Sequence, residues 1–196
     1  MPIARQSLSV ISYQKWLVVA GGMGERNSYS EKVELLDTLS GQWYEGSPLP
    51  NGGSQMSSAI NGNMWYLSRG FSSAIQPNKH VFIVCLGELI SEAVSQSAGA
   101  TSPPTPSPWQ TLPETPLENS TVLILNGALL AVGGWRSSAI HLYKPTRKSW
   151  VKVGDLPTRR WQCACAARPS GEIFVAGGTL AGTYDPCAVI DIATIV

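Results

Sequence analysis

Short apolar or alternating segments recur along the whole chain, and glycine, proline or asparagine bounds each of them. Three segments, VVAGG, LAVGG and FVAGG, end in a glycine pair, and a fourth, WYLSRG, carries Arg69 in place of the first glycine. The glycines concerned are Gly21, Gly22, Gly70, Gly133, Gly134, Gly177 and Gly178. Runs of this length and composition are typical of β-strands. Because no segment keeps a 3.6-residue period for long, we expect an all-β chain without a helix.

Tryptophan is a second marker that keeps the same spacing. Trp43, Trp109 and Trp150 are each followed by a proline seven residues later. Asn-Gly pairs at 61–62 and 126–127 predict tight hairpin turns. Together these markers divide one domain, residues 1–196, into four units of about four strands, which we name a to d in chain order. The units span approximately 7–50, 51–116, 117–157 and 158–196.

Repeated four-stranded units predict the blades of a β-propeller. In the fourth unit the tryptophan of strand d is expected six residues after Asp191, one position past Val196. We therefore expect four a–b–c sets with three d strands, as an open arc or partial propeller. Unpaired strand edges in such an arc favour self-association. A closed four-bladed ring and a pair of arcs remain alternatives.

Composition excludes several classes of protein. The chain is 43% apolar and 14% charged, which is unlike a disordered protein. Its formal net charge of +1 argues against nucleic-acid binding. No apolar run has the length of a membrane helix, and the first residues lack a secretory signal pattern, so we expect a cytoplasmic protein without membrane contact.

The four cysteines do not follow the spacing of a disulfide framework or a zinc site. Cys163 and Cys165 lie two residues apart and share one face of a strand, which is a poor geometry for a disulfide. Cys85 and Cys187 have no such neighbour in sequence. We interpret all four as small buried apolar residues in a reducing compartment.

The glycine pairs and tryptophans resemble the kelch repeat, in which a strand ends in Gly-Gly, a Tyr-Asp-Pro-like turn follows, and tryptophan comes about six residues later. The matching residues in the first unit are Gly21-Gly22, Leu36-Asp37 and Trp43. In the third unit they are Gly133-Gly134, Tyr143-Lys144-Pro145 and Trp150. The resemblance implies a kelch-type propeller that serves as a platform for protein interaction. The second unit departs from the pattern, because it lacks the double glycine.

That second unit also contains an insertion. Residues 91–108, SEAVSQSAGATSPPTPSP, are rich in serine, proline and other small residues. We expect a flexible surface loop between strands c and d, with polyproline character over 103–108.

Charge is concentrated in the third unit and the start of the fourth, where eight Lys or Arg residues lie between Arg136 and Arg168 against one acid, Asp155. In a propeller the b–c and d–a loops open on the same face. The candidate partner-binding residues on that face are Arg26, Tyr29, Arg69, Trp135, Arg136, Arg159, Arg160 and Trp161. Arginine beside exposed aromatic rings suits recognition of carboxylates in a protein or peptide. Ordinary solvated loop arginines are the alternative interpretation.

Candidate catalytic groups are few. His80 and His141 are the only histidines, and neither has an acid at the spacing of a metal ligand. The glycine pairs end strands without opening a helix, which disfavours phosphate binding. We therefore expect a non-catalytic module with no cofactor and no metal. The alternatives are a propeller enzyme acting on carbohydrate, of oxidase or sialic-acid type, and a nonfunctional fragment of a larger kelch array.

Overall fold

The computed structural model describes residues 2–71, 79–99 and 107–195. Within these ranges the chain forms four antiparallel sheets that follow one another along the sequence, with a two-stranded sheet beside the fourth. In each of the four main sheets the strands lie side by side in chain order. This sequential order is the order expected of propeller blades.

The first sheet contains β1 (Ser9–Tyr13), β2 (Trp16–Ala20), β3 (Val33–Asp37) and β4 (Trp43–Gly46). The second contains β5 (Ser57–Asn61), β6 (Met64–Ser68), β7 (Val81–Cys85) and β8 (Gln110–Thr111). The third contains β9 (Thr121–Leu125), β10 (Ala128–Gly134), β11 (Ser137–Lys144) and β12 (Ser149–Asp155). β13 (Arg160–Trp161) pairs with β16 (Thr179–Leu180), and the fourth main sheet contains β14 (Ala164–Ala167), β15 (Glu172–Ala176) and β17 (Ile190–Thr194).

The first strands of the four sheets converge and pack against one another. β5 contacts both β1 and β9, and β14 contacts β9. The Ser9 hydroxyl donates to the Ser58 hydroxyl at 2.6 Å, and the Thr121 hydroxyl donates to the carbonyl oxygen of Cys163 at 3.1 Å. The sheets therefore share an axis lined by their a strands, which confirms the predicted kelch-type propeller architecture.

The hydrophobic core lies between neighbouring blades. The cluster between blades one and two includes Val18, Leu35, Trp65, Leu67 and Phe82, and all five are buried. The clusters between the later blades include Val81, Val122 and Leu129, and then Val132, Ile140, Ile173 and Val175. Each sheet has an apolar face that would be exposed to water if the sheet were alone. Burying these faces between neighbouring sheets stabilises the contact of each blade with the next.

The recurring tryptophans join adjacent blades. The Trp109 indole N–H donates to the carbonyl oxygen of Ser47 at 3.0 Å, and that of Trp150 donates to the carbonyl oxygen of Pro113 at 2.9 Å. Each acceptor lies four residues after the tryptophan of the preceding blade, Trp43 and Trp109 respectively. The tryptophans therefore pack one blade on the next.

The second glycine of each pair lies where two backbone segments meet. Gly178 has φ +83°, and a Cβ at this position would lie 2.5 Å from the carbonyl oxygen of Trp161. At Gly22, with φ +93°, a Cβ would lie 2.8 Å from the carbonyl oxygen of Gln6. A side chain is excluded at both positions by conformation and by space.

The expectation of a chain without helices is wrong. A helix, α1 (Leu86–Ser97), directly follows β7 and packs on β4 and β7. Leu86, Leu89 and Ala93 form its buried stripe, at the spacing of one helix face. The apolar run of β7 continues into this stripe, and serine-rich sequence surrounds it, so the helical period is short and easily overlooked.

The helix also corrects the expectation for the insertion. The first seven residues of segment 91–108 belong to α1 and do not form a loop. Residues 100–106, which include most of the predicted polyproline segment, lie outside the described residues.

Candidate functional site

Three connections meet at one end of the third and fourth blades. A tight turn carrying Trp135 and Arg136 joins β10 to β11, and β13 carries Trp161. The connection from β16 to β17 contributes Ala181, Gly182 and Tyr184. Since antiparallel strands alternate in direction, b–c and d–a connections lie at the same end of the sheets.

Aromatic rings from these connections form a continuous cluster. The rings of Trp135 and Trp161 meet edge-to-face with centroids 4.8 Å apart, and the Tyr184 ring lies 5.5 Å from that of Trp135. Phe71, in the b–c connection of blade two, extends the cluster with its centroid 5.9 Å from that of Trp161. We call these four residues the aromatic cluster.

A small cleft of about 50 Å³ opens beside the aromatic cluster. Its lining residues are Trp135, Arg136, Trp161, Ala181, Gly182 and Tyr184. The guanidinium carbon of Arg136 lies 5.8 Å from the centroid of the Trp135 ring, and Tyr184 is 63% exposed. The surface thus combines apolar rings with an accessible positive charge, which can stack on a partner and pair with its carboxylates.

Sequence reasoning named three members of this site, Trp135, Arg136 and Trp161, and the structure brings them together. It missed Phe71 and Tyr184. For Phe71 a signal was present, because it follows Gly70 directly, as Trp135 follows Gly134. Tyr184 lies in the b–c connection of blade four, away from the glycine pair and the tryptophan, so no repeat marker pointed to it.

The prediction that Arg160 presents its charge to a partner is wrong. Its side chain is fully buried and forms an ion pair with Asp191, with a separation of 2.5 Å between nitrogen and oxygen. The same guanidinium donates to the carbonyl oxygens of Gly177 at 3.1 Å and Val189 at 2.7 Å. Arg160 therefore joins β13, which precedes the inner strand β14, to strand c (β17) of blade four.

Arg5 forms the matching arrangement in blade one. It pairs with the carboxylate of Glu34 and donates to the carbonyl oxygens of Gly21 at 2.8 Å and Lys32 at 2.9 Å. In both blades the carbonyl acceptors are the first glycine of the pair and the residue two positions before the acid. We call this arrangement the arginine clamp.

Arg69 is also buried, so the prediction that it contacts a partner is wrong as well. Its side chain lies over the Phe82 ring, 5.7 Å from the ring centroid, and the residue is 5% exposed. Burial lowers the pKa of its guanidinium, and the negative charge of Glu31 opposes that effect. Arg69 is thus part of the packing between blades.

The other predicted residues lie at the same end of the blades with varying proximity to the cleft. Arg159 is exposed, and its carbonyl oxygen accepts a hydrogen bond from the backbone N–H of Ala181 at 3.2 Å. Arg26 is exposed in a short 3₁₀ turn, Glu25–Asn27, and Tyr29 is half-buried in the same connection of blade one. Arg26 and Tyr29 do not line the cleft.

The two histidines lie in different blades. His80 precedes β7, with its Nδ1 atom 3.9 Å from a carboxylate oxygen of Glu114. His141 lies in β11, and burial lowers the pKa of its imidazole. Among residues 2–71, 79–99 and 107–195, no group of three or more His, Cys, Asp or Glu side chains is placed to hold a metal ion. The described part of the chain also contains no helix long and apolar enough to cross a membrane.

Comparison with known proteins finds likeness in sequence and in fold. No protein-family model matches the chain. An F-box/kelch-repeat protein of Arabidopsis thaliana is 25% identical over 131 residues, which cover 62% of this chain and 32% of the relative, so the chain spans about a third of that protein. The solved structure of YjhT superposes with a TM-score of 0.76 at 14% identity, covering 100% of this chain and 68% of YjhT. The repeated sheets, the kelch-repeat relative and the structural neighbour together establish a kelch-type propeller fold and confirm the resemblance to kelch-repeat proteins.

Proposed function

We propose that this chain is a non-catalytic interaction module in the cytoplasm that binds an acidic segment of a partner protein. The observation that carries the proposal is the aromatic cluster with Arg136 beside it, since it gathers aromatic rings, the exposed Tyr184 among them, and a positive charge from separate connections at one end of the blades. Likeness to an F-box/kelch-repeat protein supports a role in protein recognition.

The chemistry of the cleft supports an acidic ligand. Arg136 and Arg159 are exposed at this end, and Arg136 stands beside the Trp135 ring. An arginine that stacks on an aromatic ring keeps its N–H groups free to bind a carboxylate in bidentate fashion. Rigid aromatic side chains supply contact area at low entropic cost, and such residues are enriched at energetically important positions of protein interfaces.

Selection from a random peptide library displayed on phage tests this proposal. We expect enrichment of peptides containing Asp or Glu, and we expect Arg136→Glu to weaken binding of a labelled selected peptide by about tenfold or more, measured by fluorescence polarisation. Tyr184→Ala should weaken it as well. Arg147→Glu is the matched control, because Arg147 is exposed in the c–d turn of the same blade, at the opposite end.

Two results would overturn the proposal. One is enrichment of peptides without acidic residues. The other is an equal loss of affinity in Arg147→Glu and Arg136→Glu, which would show that net charge and not the cleft determines binding.

We also propose that the chain associates with itself through blade four. Ile190 and Ile192 are 66% and 53% exposed on β17, which is an edge strand of its sheet among the described residues. Exposed apolar edges of this kind favour pairing. Light scattering should show a lower mass for the double variant Ile190→Lys and Ile192→Lys than for the wild type, whereas Val151→Lys on blade three should leave the mass unchanged. An unchanged mass in the double variant would contradict the proposal.

A further inference from the structure

Two cysteines of blade four lie in direct contact. The Sγ atoms of Cys163 and Cys165 are 3.8 Å apart. Cys163 lies between β13 and β14, immediately after Gln162 with φ +54°, and Cys165 belongs to β14. The two thiols are therefore in contact, which the interpretation of the cysteines as inert apolar residues did not anticipate.

The surroundings of the pair distinguish the two sulfur atoms. The Thr121 hydroxyl oxygen lies 3.6 Å from Cys163 Sγ. A hydrogen bond from the Cys165 thiol lowers the pKa of Cys163 to about 7 against the effect of burial, and Thr121 and the positive charge of Arg160 lower it further. The pKa of Cys165 is raised, since its proton is shared with the Cys163 sulfur and burial disfavours a second thiolate. One sulfur is thus suited to attack, and its neighbour remains a thiol.

A cavity gives small molecules a route to Cys163. It has a volume of about 210 Å³ and lies where the inner strands of the blades converge. Its lining includes Gln55, Asn119, Thr121, Gln162 and Cys163, so amide and hydroxyl groups share the wall of the cavity with Cys163. Although Cys163 itself is 7% exposed, the cavity is polar and large enough for a water-sized oxidant.

We propose that Cys163 is a peroxide-reactive thiol and that Cys165 resolves its oxidised form into a Cys163–Cys165 disulfide. The Cys163 thiolate attacks one oxygen of hydrogen peroxide, forming an S–O bond while the O–O bond breaks and hydroxide leaves to become water. The Cys165 thiol then attacks the sulfenic acid sulfur, forming the S–S bond and releasing the hydroxyl group with the thiol proton as a second water. Overall, two thiols are oxidised by two electrons and one peroxide is reduced to two waters.

The disulfide would reshape the start of the inner strand of blade four. Cys163 follows Trp161 of the aromatic cluster by two residues, and the Cα of Cys163 and the carbonyl oxygen of Trp161 both border Gly178. Closing the two sulfurs from 3.8 Å to a bond length requires the backbone of this segment to shift. The oxidation site is nevertheless independent of the proposed peptide ligand, so either proposal stands or fails without the other.

Peptide mass spectrometry of the full chain tests the proposal. The protein is treated with hydrogen peroxide near neutral pH, denatured, alkylated with N-ethylmaleimide, and digested with trypsin and Glu-C. Cleavage after Arg160 and Glu172 releases peptide 161–172, which contains Cys163 and Cys165 and neither of the other two cysteines. We expect this peptide to lose two hydrogens and escape alkylation about tenfold faster than Cys187 is oxidised, and dithiothreitol should restore alkylation.

Single-residue variants assign the roles. In Cys165→Ser, Cys163 should stop at the sulfenic acid and react with dimedone, whereas in Cys163→Ser, Cys165 should oxidise no faster than Cys85. The wild-type measurement needs no variant and remains decisive where a variant fails to fold. Two results would overturn the proposal. In the first, peptide 161–172 loses alkylation at its two cysteines no faster than Cys187 does during peroxide treatment. In the second, the two single variants react equally with peroxide.

Discussion

Blades three and four fill the same position in different ways. A residue with positive φ precedes each inner strand, namely Ser7, Gln55, Asn119 and Gln162. Two residues earlier, blade four carries Arg160, paired with Asp191, whereas blade three carries Leu117, which packs in a small apolar cluster with Ala131 and Ala139. The residue of strand b two positions before the first glycine pairs with a different residue of strand c in the two blades. In blade four Val175 pairs with Asp191, and in blade three Ala131 pairs with His141.

The comparison shows that the propeller requires the space to be filled but does not require it to be charged. Where strand c supplies a carboxylate, an arginine reaches it and also binds two backbone carbonyls. Where strand c supplies none, a leucine fills the same place. A buried ion pair is therefore one of two ways to fill this space. Removing one charge of the pair destabilises the fold more than replacing both residues with apolar side chains.

Breaking the clamp in blade four should give the largest effect. Asp191→Ala leaves the guanidinium of Arg160 buried without its carboxylate, and we expect the free energy of unfolding to fall by about 3–5 kcal/mol. Urea unfolding followed by tryptophan fluorescence measures the loss. A decrease below about 1 kcal/mol would mean that backbone carbonyls and water satisfy the charge unaided.

Replacing the ion pair of blade four with two apolar side chains provides the control for that experiment. The double variant Arg160→Leu and Asp191→Leu removes both charges and keeps apolar volume, so most of the lost stability should return. A double variant as unstable as Asp191→Ala would show that the hydrogen bonds to Gly177 and Val189 matter more than charge pairing.

Blade two extends the comparison, because its arginine lies at the end of strand b and not before strand a. Gly53 stands at the clamp position, and Arg69 stands at the first-glycine position. A Cβ on Gly53 would lie 2.9 Å from Cγ of Arg69 and 3.2 Å from the carbonyl oxygen of Phe71. We expect Gly53→Ala to cost about 1–3 kcal/mol in thermal or urea unfolding. The cost should shrink in an Arg69→Ala background, and equal costs in both backgrounds would show that the two positions do not share space.

The ion pair between the exposed Lys15 and the buried Asp37 should give the smallest effect. Lys15 Nζ lies 2.8 Å from a carboxylate oxygen of Asp37, and this hydrogen bond holds the pKa of Asp37 below its ordinary value of 3.8. Stability from the pair is therefore present above the ordinary pKa and is lost as the pH falls through the lowered one. Unfolding midpoints measured from about pH 5 to about pH 2 should fall more steeply in the wild type than in Lys15→Ala. Parallel curves would show that the pair contributes nothing.

The blade architecture was predictable because its markers are local. Glycine pairs, Asn-Gly turns and tryptophans each act within a few residues, so their spacing alone located the four sheets. The helix α1 was not predictable in the same way, since its stripe of Leu86, Leu89 and Ala93 continues the apolar run of β7. The helix gains its stability from packing on β4, in a different blade.

The candidate site was predictable only in part, because exposure of an arginine depends on residues distant in sequence. Arg159 and Arg160 are adjacent, yet one is exposed and the other is fully buried. Asp191 decides the difference, and it lies 31 residues after Arg160. Arg5 and Glu34 in blade one form the same kind of pair at a similar separation in sequence. Aligning the acidic residues of the units, as well as the glycines, would have indicated that Arg160 is paired.

The contacts made by Trp109 and Trp150 give the blade series a direction. Blade one offers a carbonyl oxygen to the indole N–H of blade two, and blade two offers one to that of blade three, both four residues after the tryptophan of the accepting blade. Blade two therefore carries one donor and one acceptor of the same kind. Duplicating blade two would therefore repeat this indole–carbonyl contact at the new junction, so a repeat array can lengthen by one blade and keep this hydrogen bond between neighbours.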